Sequence, residues 1–286
     1  MLLAQRAPRP PDRLPLASQR RLFFVAAGLL ITGETVFWTM LAAVQSNSGA
    51  AALDGPVHDG LVASRNPLAT ALLTAVTTVT SPLWMTVIGC VLALAWAAWK
   101  RELWRPTLLI GAMAATFAVS TLIKHDVGRG RPAASDFLLG PDDALSFPSG
   151  HTFGAGVFLC VLNYLLLAAR GTRTSKRSTS VFGFAAAAAG TLAVALSRLY
   201  LGYHWLTDVL ASMGLALAVT GIVILADGLR AAMAGRTASP SSGPLPGPAV
   251  PVGAGLAGER RAEAVPSQDS WSEPDAHRLG DHHRRG

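Results

Sequence analysis

Three short segments carry residue types that could do chemistry together. Lys124, Arg129 and Arg131, followed by Pro132, stand in LIKHDVGRGRP; Pro148, Ser149, Gly150 and His151 stand in SFPSGHT; Ser197, Arg198, His204 and Asp208 stand in ALSRLYLGYHWLTDVL. Lysine and arginine supply positive charge, and the arginine fork matches two phosphate oxygens at once. Ser149 and Gly150 open an apolar run that reads as a helix, so the backbone N–H groups there offer the anion-binding end of one. His204 and Asp208 are four residues apart and share a helical face, where the carboxylate can hold one ring nitrogen while the other points at phosphorus. That is the arrangement of an oriented nucleophile. His151 comes from another segment and suits protonation of a leaving oxygen, then activation of water. The chemistry is phosphoryl transfer, with Lys124, Arg131, Ser149, Gly150 and Arg198 as the phosphate-binding groups and His204, Asp208 and His151 as the reacting ones. Arg129 lies beside them and can assist.

Each cluster alone has a plainer reading. Lys124, Arg129 and Arg131 could contact lipid headgroups, as juxtamembrane basic residues commonly do. Pro-Ser-Gly-His could be a turn with a helix cap, Ser149 capping and Gly150 permitting close backbone approach. His204 and Asp208 could be a polar pair satisfied inside a bundle. None of these explains why all three clusters fall at span ends on one side of the membrane. Charged groups and histidines gathered at one depth in a helical bundle point to a site.

The elements that must position these residues are membrane helices. Of 286 residues, 51% are hydrophobic and only 14% charged, and the mean hydropathy is +0.39, which is too apolar for a soluble enzyme of this size. A hydrocarbon core of about 30 Å needs about 20 apolar residues per crossing. Six runs meet that measure, at 22–44, 82–99, 106–123, 151–169, 181–199 and 206–226. The Thr-rich stretch 67–81 reads as a separate helix lying at or dipping into the interface, with Pro82 near the start of the next span. The expected fold is thus an all-α, polytopic integral membrane bundle of six transmembrane helices. Arg20 and Arg21 before 22–44 also fit a cleaved signal peptide, but that apolar run is long for a signal core.

Positively charged loops stay cytoplasmic. Arg6, Arg9, Arg13, Arg20 and Arg21, then Lys100, Arg101 and Arg105, then Arg170, Arg173, Lys176 and Arg177 fall on one side, together with the C-terminal basic residues. Both termini are therefore expected in the cytoplasm, and the three chemical clusters at the outer face of the plasma membrane. The expected organisation is a basic N-terminal tail at 1–21, a six-span domain at 22–228 and a Pro/Gly-rich disordered cytoplasmic tail at 229–286. The net charge of +7 is spread in short runs between apolar stretches, not over one folded face, which argues against a nucleic-acid partner. Cys90 and Cys160 lie inside apolar runs and behave as small hydrophobes. His282 and His283 in the tail have no further ligands beside them. Glu34, in the middle of LLITGETVFW, is expected to be protonated or paired inside the bundle. Asp136, Asp142 and Asp143 form an acidic loop expected to be solvated.

The pattern Lys124-x6-Arg131-Pro132, then Pro148-Ser149-Gly150-His151, then Ser197-Arg198-x5-His204-x3-Asp208 resembles the complete three-part signature of the type 2 phosphatidic acid phosphatase superfamily, the membrane lipid phosphate phosphatases. The resemblance runs from about 106 to 226 through the motifs and over most of 22–228 through the layout of spans. It implies a phosphohistidine at His204 supported by Asp208, His151 as acid and base, phosphate binding by Lys124, Arg131, Ser149, Gly150 and Arg198, and no metal or other cofactor. The implied partners are a lipid phosphate substrate and the surrounding membrane lipids. Soluble vanadate-dependent haloperoxidases share the signature, but six spans argue against that branch. A non-catalytic lipid-phosphate binding or transport protein on the same scaffold is the reading of another class, and the retained His151, His204 and Asp208 discriminate against it.

Overall fold

The computed structural model describes residues 16–170 and 177–237. Eight α-helices run in chain order: α1 Leu16–Ser46, α2 Asp54–Ala63, α3 Pro67–Val79, α4 Pro82–Lys100, α5 Trp104–Val127, α6 Gly150–Arg170, α7 Arg177–Tyr200 and α8 Leu206–Thr237. No strand occurs among the described residues. Six stretches are long and apolar enough to cross a membrane: Gln19–Ser46, Pro82–Lys100, Trp104–Val127, Gly150–Ala169, Val181–Tyr200 and Leu206–Met233. The protein is a multi-pass membrane protein with the six expected spans.

Local signals set the helix ends. Asn66 caps α3 by accepting from the Ala69 N–H at 2.9 Å, and Pro67 follows where its missing N–H costs nothing. Ser81 and Pro82 repeat the device for α4, and Arg101 ends that helix in the left-handed region at φ 51°. At 13 residues, α3 is about 20 Å long by the helical rise and too short to cross. Two features depart from expectation. The stretch before α3, where the apolar runs mark no helix, contains α2. At the other end α8 continues through 229–237, beyond the boundary expected from composition. Residues 1–15, 171–176 and 238–286, including His282, His283 and most of the expected tail, lie outside the described residues.

The centre of the bundle is α6, which packs against α4, α5, α7 and α8. Its Phe153, Val157, Val161 and Leu165 are buried with Leu109 of α5 and Phe147. Apolar side chains on the outside, such as Phe24, Ile31, Leu94 and Phe182, face where lipid tails are as apolar as the core. The most extensive pairing is α1 with α8. Glycines make it close: a Cβ on Gly33 would sit 2.4 Å from the Gly214 carbonyl oxygen, and one on Gly221 would sit 2.7 Å from that of Ala26. Glu34 lies on the half-exposed flank of α1, where its Oε2 accepts from Trp38 Nε1 at 2.9 Å. Its partner is thus on its own helix and not inside the bundle.

Candidate active site

Four helix ends meet at one end of the bundle. Lys124 lies in the last turn of α5, His151 in the first turn of α6, Arg198 near the end of α7, and His204 and Asp208 flank the start of α8. Two glycines with positive φ turn the chain into place. Gly128 ends α5 at φ 63°, its N–H bonded to the Lys124 carbonyl at 3.0 Å, and sends Arg129 to Arg131 back across the start of α8. Gly202 sits at φ 88° between α7 and His204, so close to Asp136 that a Cβ would meet its carbonyl oxygen at 2.4 Å. Any L side chain there would be strained and would clash.

Asp208 is fully buried and its carboxylate is saturated with donors. Oδ1 accepts from Arg129 Nη1 at 2.6 Å. Oδ2 accepts from the Trp205 N–H at 2.9 Å and from the Ser146 hydroxyl, and lies 3.3 Å from His204 Nδ1. The other ring nitrogen, Nε2, faces Arg131 Nη1 at 3.3 Å. An arginine can only donate. The consistent tautomer therefore places the proton on Nδ1, toward Asp208, and the lone pair on Nε2, toward the cations. His204 is 2% exposed, and burial, opposed by the Asp208 bond and charge, pushes its pKa down to about 3. The ring is neutral near pH 7 and its Nε2 lone pair is available.

The remaining residues expected in the site gather around that nitrogen. Arg131 also donates to the Tyr203 carbonyl at 2.7 Å and the Ala144 carbonyl at 2.5 Å. Burial lowers the pKa of its guanidinium from the ordinary value, with Asp142 opposing. Lys124 Nζ donates to the Leu145 and Ser146 carbonyls. Arg198 is buried, stacks over the Tyr203 ring at 4.3 Å, donates to Thr77 Oγ1 at 3.0 Å and leaves its Nε without a partner among the described residues. His151 is half-buried and within electrostatic reach of Arg198, His204, Arg131 and Lys124. Ser149 is buried, with its hydroxyl on Thr152 Oγ1 at 3.1 Å, so its side chain serves the helix start. The first N–H groups of α6, from Gly150 onward, have no partner within the helix.

One expectation is corrected. Asp142 is not a solvated bystander: its Oδ2 lies 2.9 Å from Arg131 Nη2 and 3.9 Å from Arg198 Nη2. It shares a cleft with Arg129, Arg131, Pro132, Phe137 and Leu145. The loop is held there because Tyr203 OH donates to the Gly140 carbonyl at 2.7 Å and accepts from the Leu139 N–H, while its ring stacks on Phe137 at 4.7 Å.

Several contributors were not singled out from sequence. Ser146 lies two residues before Pro148, inside a string already noticed, and that proximity was the available signal. Asp54, on α2, bonds the first turn of α8 and Arg129. Only the Asp-Gly-Pro at a helix start could have flagged it. Among the described residues no three His, Cys, Asp or Glu side chains gather as a metal site.

Residues 105–230 match the family model of the PAP2 superfamily. Phosphatidylglycerophosphatase B of Bacillus subtilis (strain 168) is 27% identical over 183 residues, which span 64% of this chain and 87% of that protein. Among solved structures, that of a transmembrane PAP2 type phosphatidylglycerolphosphate phosphatase from Bacillus subtilis superposes with a TM-score of 0.61 at 21% identity, covering 68% of this chain and 96% of the other. At that identity the likeness is one of fold.

Proposed function

We propose that this chain is a lipid-directed phosphatase of the PAP2 superfamily, whose family model residues 105–230 match, and that it hydrolyses a lipid phosphomonoester or diphosphate through a phosphohistidine on His204. The observation that carries the reading is the two-sided hold on His204: Nδ1 against Asp208 at 3.3 Å and Nε2 facing Arg131 at 3.3 Å. Nε2 attacks phosphorus, the bond from phosphorus to the leaving oxygen breaks (the lipid alcohol oxygen of a monoester, the bridging oxygen of a diphosphate), and His151 gives that oxygen a proton. His151 then takes a proton from water, whose oxygen attacks the same phosphorus and breaks its bond to Nε2, releasing phosphate. Lys124, Arg131, Arg198 and the N–H groups at Ser149 and Gly150 hold the transferring phosphoryl oxygens. Binding alone would need the cations but not the oriented ring, which speaks against a carrier or receptor on this scaffold.

The lipid tail stays in the bilayer and presents its phosphate at the depth where the helix ends meet. The distribution of basic residues supports cytoplasmic termini and a site at the outer face of the plasma membrane. A polyprenyl diphosphate, phosphatidic acid and a phosphatidylglycerol phosphate all fit that geometry. The test is phosphate release by the detergent-purified protein, with EDTA present, from these three lipids side by side. Release that His204→Ala abolishes in a protein that still inserts and folds is expected. Appreciable turnover by that variant would remove the nucleophile assignment, and lipid transfer without any release would return the binding-protein reading.

A further inference from the structure

Asp54 lies at the start of α2, 4% exposed, in a segment with no part in the phosphate cradle. Its carboxylate nevertheless enters the site from behind. Oδ1 accepts from the Thr207 N–H at 2.9 Å, and Oδ2 accepts from the Thr207 hydroxyl at 2.8 Å and from Arg129 Nη2 at 2.6 Å. Thr207 is the second residue of α8, so Asp54 caps that helix from a different one. It satisfies an N–H that the helix itself leaves unpaired and puts negative charge at the positive end of the dipole. Arg129 continues the chain: its Nη1 donates to the Thr207 hydroxyl at 2.7 Å and to Asp208 Oδ1 at 2.6 Å. Asp54, Arg129, Asp208 and His204 thus form one connected line, with a cation between two carboxylates.

The charge order has a consequence for the reacting ring. A lone Arg129 against Asp208 would neutralise the carboxylate that must support His204 as its Nε2 bonds to phosphorus and the ring gains positive charge. With Asp54 on the far side of Arg129, the trio keeps a net charge of −1 and Asp208 remains negative toward the imidazole. We propose that Asp54 is a positioning residue for the hydrolytic reaction, fixing the first turn of α8 and balancing Arg129 so that Asp208 can hold and polarise His204. This rests on the phosphohistidine reading above. It predicts an effect on turnover and not on substrate capture, since Lys124, Arg131 and Arg198 make no bond to Asp54.

The experiment compares wild type, His204→Ala, Asp54→Asn, Arg129→Gln and the double variant Asp54→Asn/Arg129→Gln, each checked for folding by thermal midpoint. Asp54→Asn should lower kcat about 10- to 100-fold, the range found when outer partners of functional histidines are removed, with KM within about twofold. The double variant, which also removes the cation that neutralises Asp208, should recover at least about threefold over Asp54→Asn, since contacting residues in one network couple non-additively. If Asp54→Asn does not fold, the double variant alone decides: a kcat loss of no more than about 30-fold, the upper end of the expected range after threefold recovery, with KM within about twofold supports the proposal, and a larger loss or a rise in KM that accounts for the effect overturns it. An unchanged kcat in folded Asp54→Asn, a rise in KM that accounts for the whole effect, or strict additivity in the double variant would each overturn the role of Asp54. Absence of wild-type release, or release that survives His204→Ala, is a separate outcome that overturns the underlying reading first.

Discussion

Asp142 lends itself to a quantitative test, because its carboxylate occupies the Arg131 fork that is proposed to hold a phosphate oxygen. Its Oδ2 lies 2.9 Å from Arg131 Nη2 and 3.9 Å from Arg198 Nη2, with the side chain 31% exposed. Two unit charges about 4 Å apart attract by about 4 kcal/mol at an effective dielectric of about 20. Solvation of both partners offsets most of this at such exposure, and pairs of this kind retain about 1 kcal/mol, with charge-assisted hydrogen bonds reaching about 2. Phosphate must displace Asp142 to reach the Arg131 fork, so Asp142→Asn relieves it of about 1–2 kcal/mol. At 1.4 kcal/mol per factor of ten, inorganic phosphate should inhibit the variant at concentrations about 5- to 30-fold lower than wild type. The assay follows the dephosphorylated lipid by chromatography at rising inorganic phosphate, at fixed ionic strength. Inhibition at an unchanged or higher concentration would show that Asp142 does not compete for the cations and would refute the reasoning.

Other consequences can be checked with the same preparations. Burial first of all holds His204 down to about 3 from an ordinary 6.5, so it stays neutral where the unfolded chain takes up a proton. It contributes stability that is whole above the unfolded value and is lost as pH falls toward the folded one. The thermal midpoint of wild type should therefore fall from about pH 7 to about pH 5 more steeply than that of His204→Gln, and equal slopes would contradict the burial argument. Gly33→Ala pushes a methyl to 2.4 Å from the Gly214 carbonyl oxygen and should cost about 1–3 kcal/mol; an unmoved thermal midpoint would mean that α1 and α8 are not in close contact. Glu34→Gln keeps an acceptor for Trp38 Nε1, so both turnover and midpoint should stay at wild-type values, and a loss of turnover alone would reveal a substrate-gating role.

What was legible in the sequence follows from how far each interaction reaches along it. Span membership depends on about 20 neighbouring residues, so all six spans could be read, as could the start of α4 at Ser81-Pro82. His204 and Asp208 could be paired because only four positions separate them, although the shared helical face expected for them is not what forms: Asp208 lies in α8 and His204 in the turn just before it. Asp54 and Thr207 are 153 positions apart, and no local rule joins them. The helix α2 is short and polar enough to lack an apolar period, so only the packed structure reveals it. Asp142 departs from expectation for a related reason: an acidic loop is solvated unless something holds it down, and Tyr203 and Arg131, which hold it, lie outside its own stretch of chain. Glu34 was expected to turn inward because of the cost of charge in lipid, whereas Trp38 one turn along supplies the donor locally.

The glycine-mediated contact between α1 and α8 also bears on how the protein is made. Of the six described spans, the first to leave the ribosome is held most extensively by the last, with four others synthesised between them. At about 5–20 residues per second, the roughly 190 residues separating their ends take about 10–40 s to emerge. During that interval the small-residue face of α1 has only lipid or the insertion machinery beside it. The delay also orders the chemistry. The residues of the proposed phosphate cradle on α5, α6 and α7 are made before the helix bearing Asp208, so the proposed site is complete only once α8 has inserted. A nascent chain short of α8 would have the basic residues near the end of α5 without Asp208, and α1 without the helix its glycine face packs against.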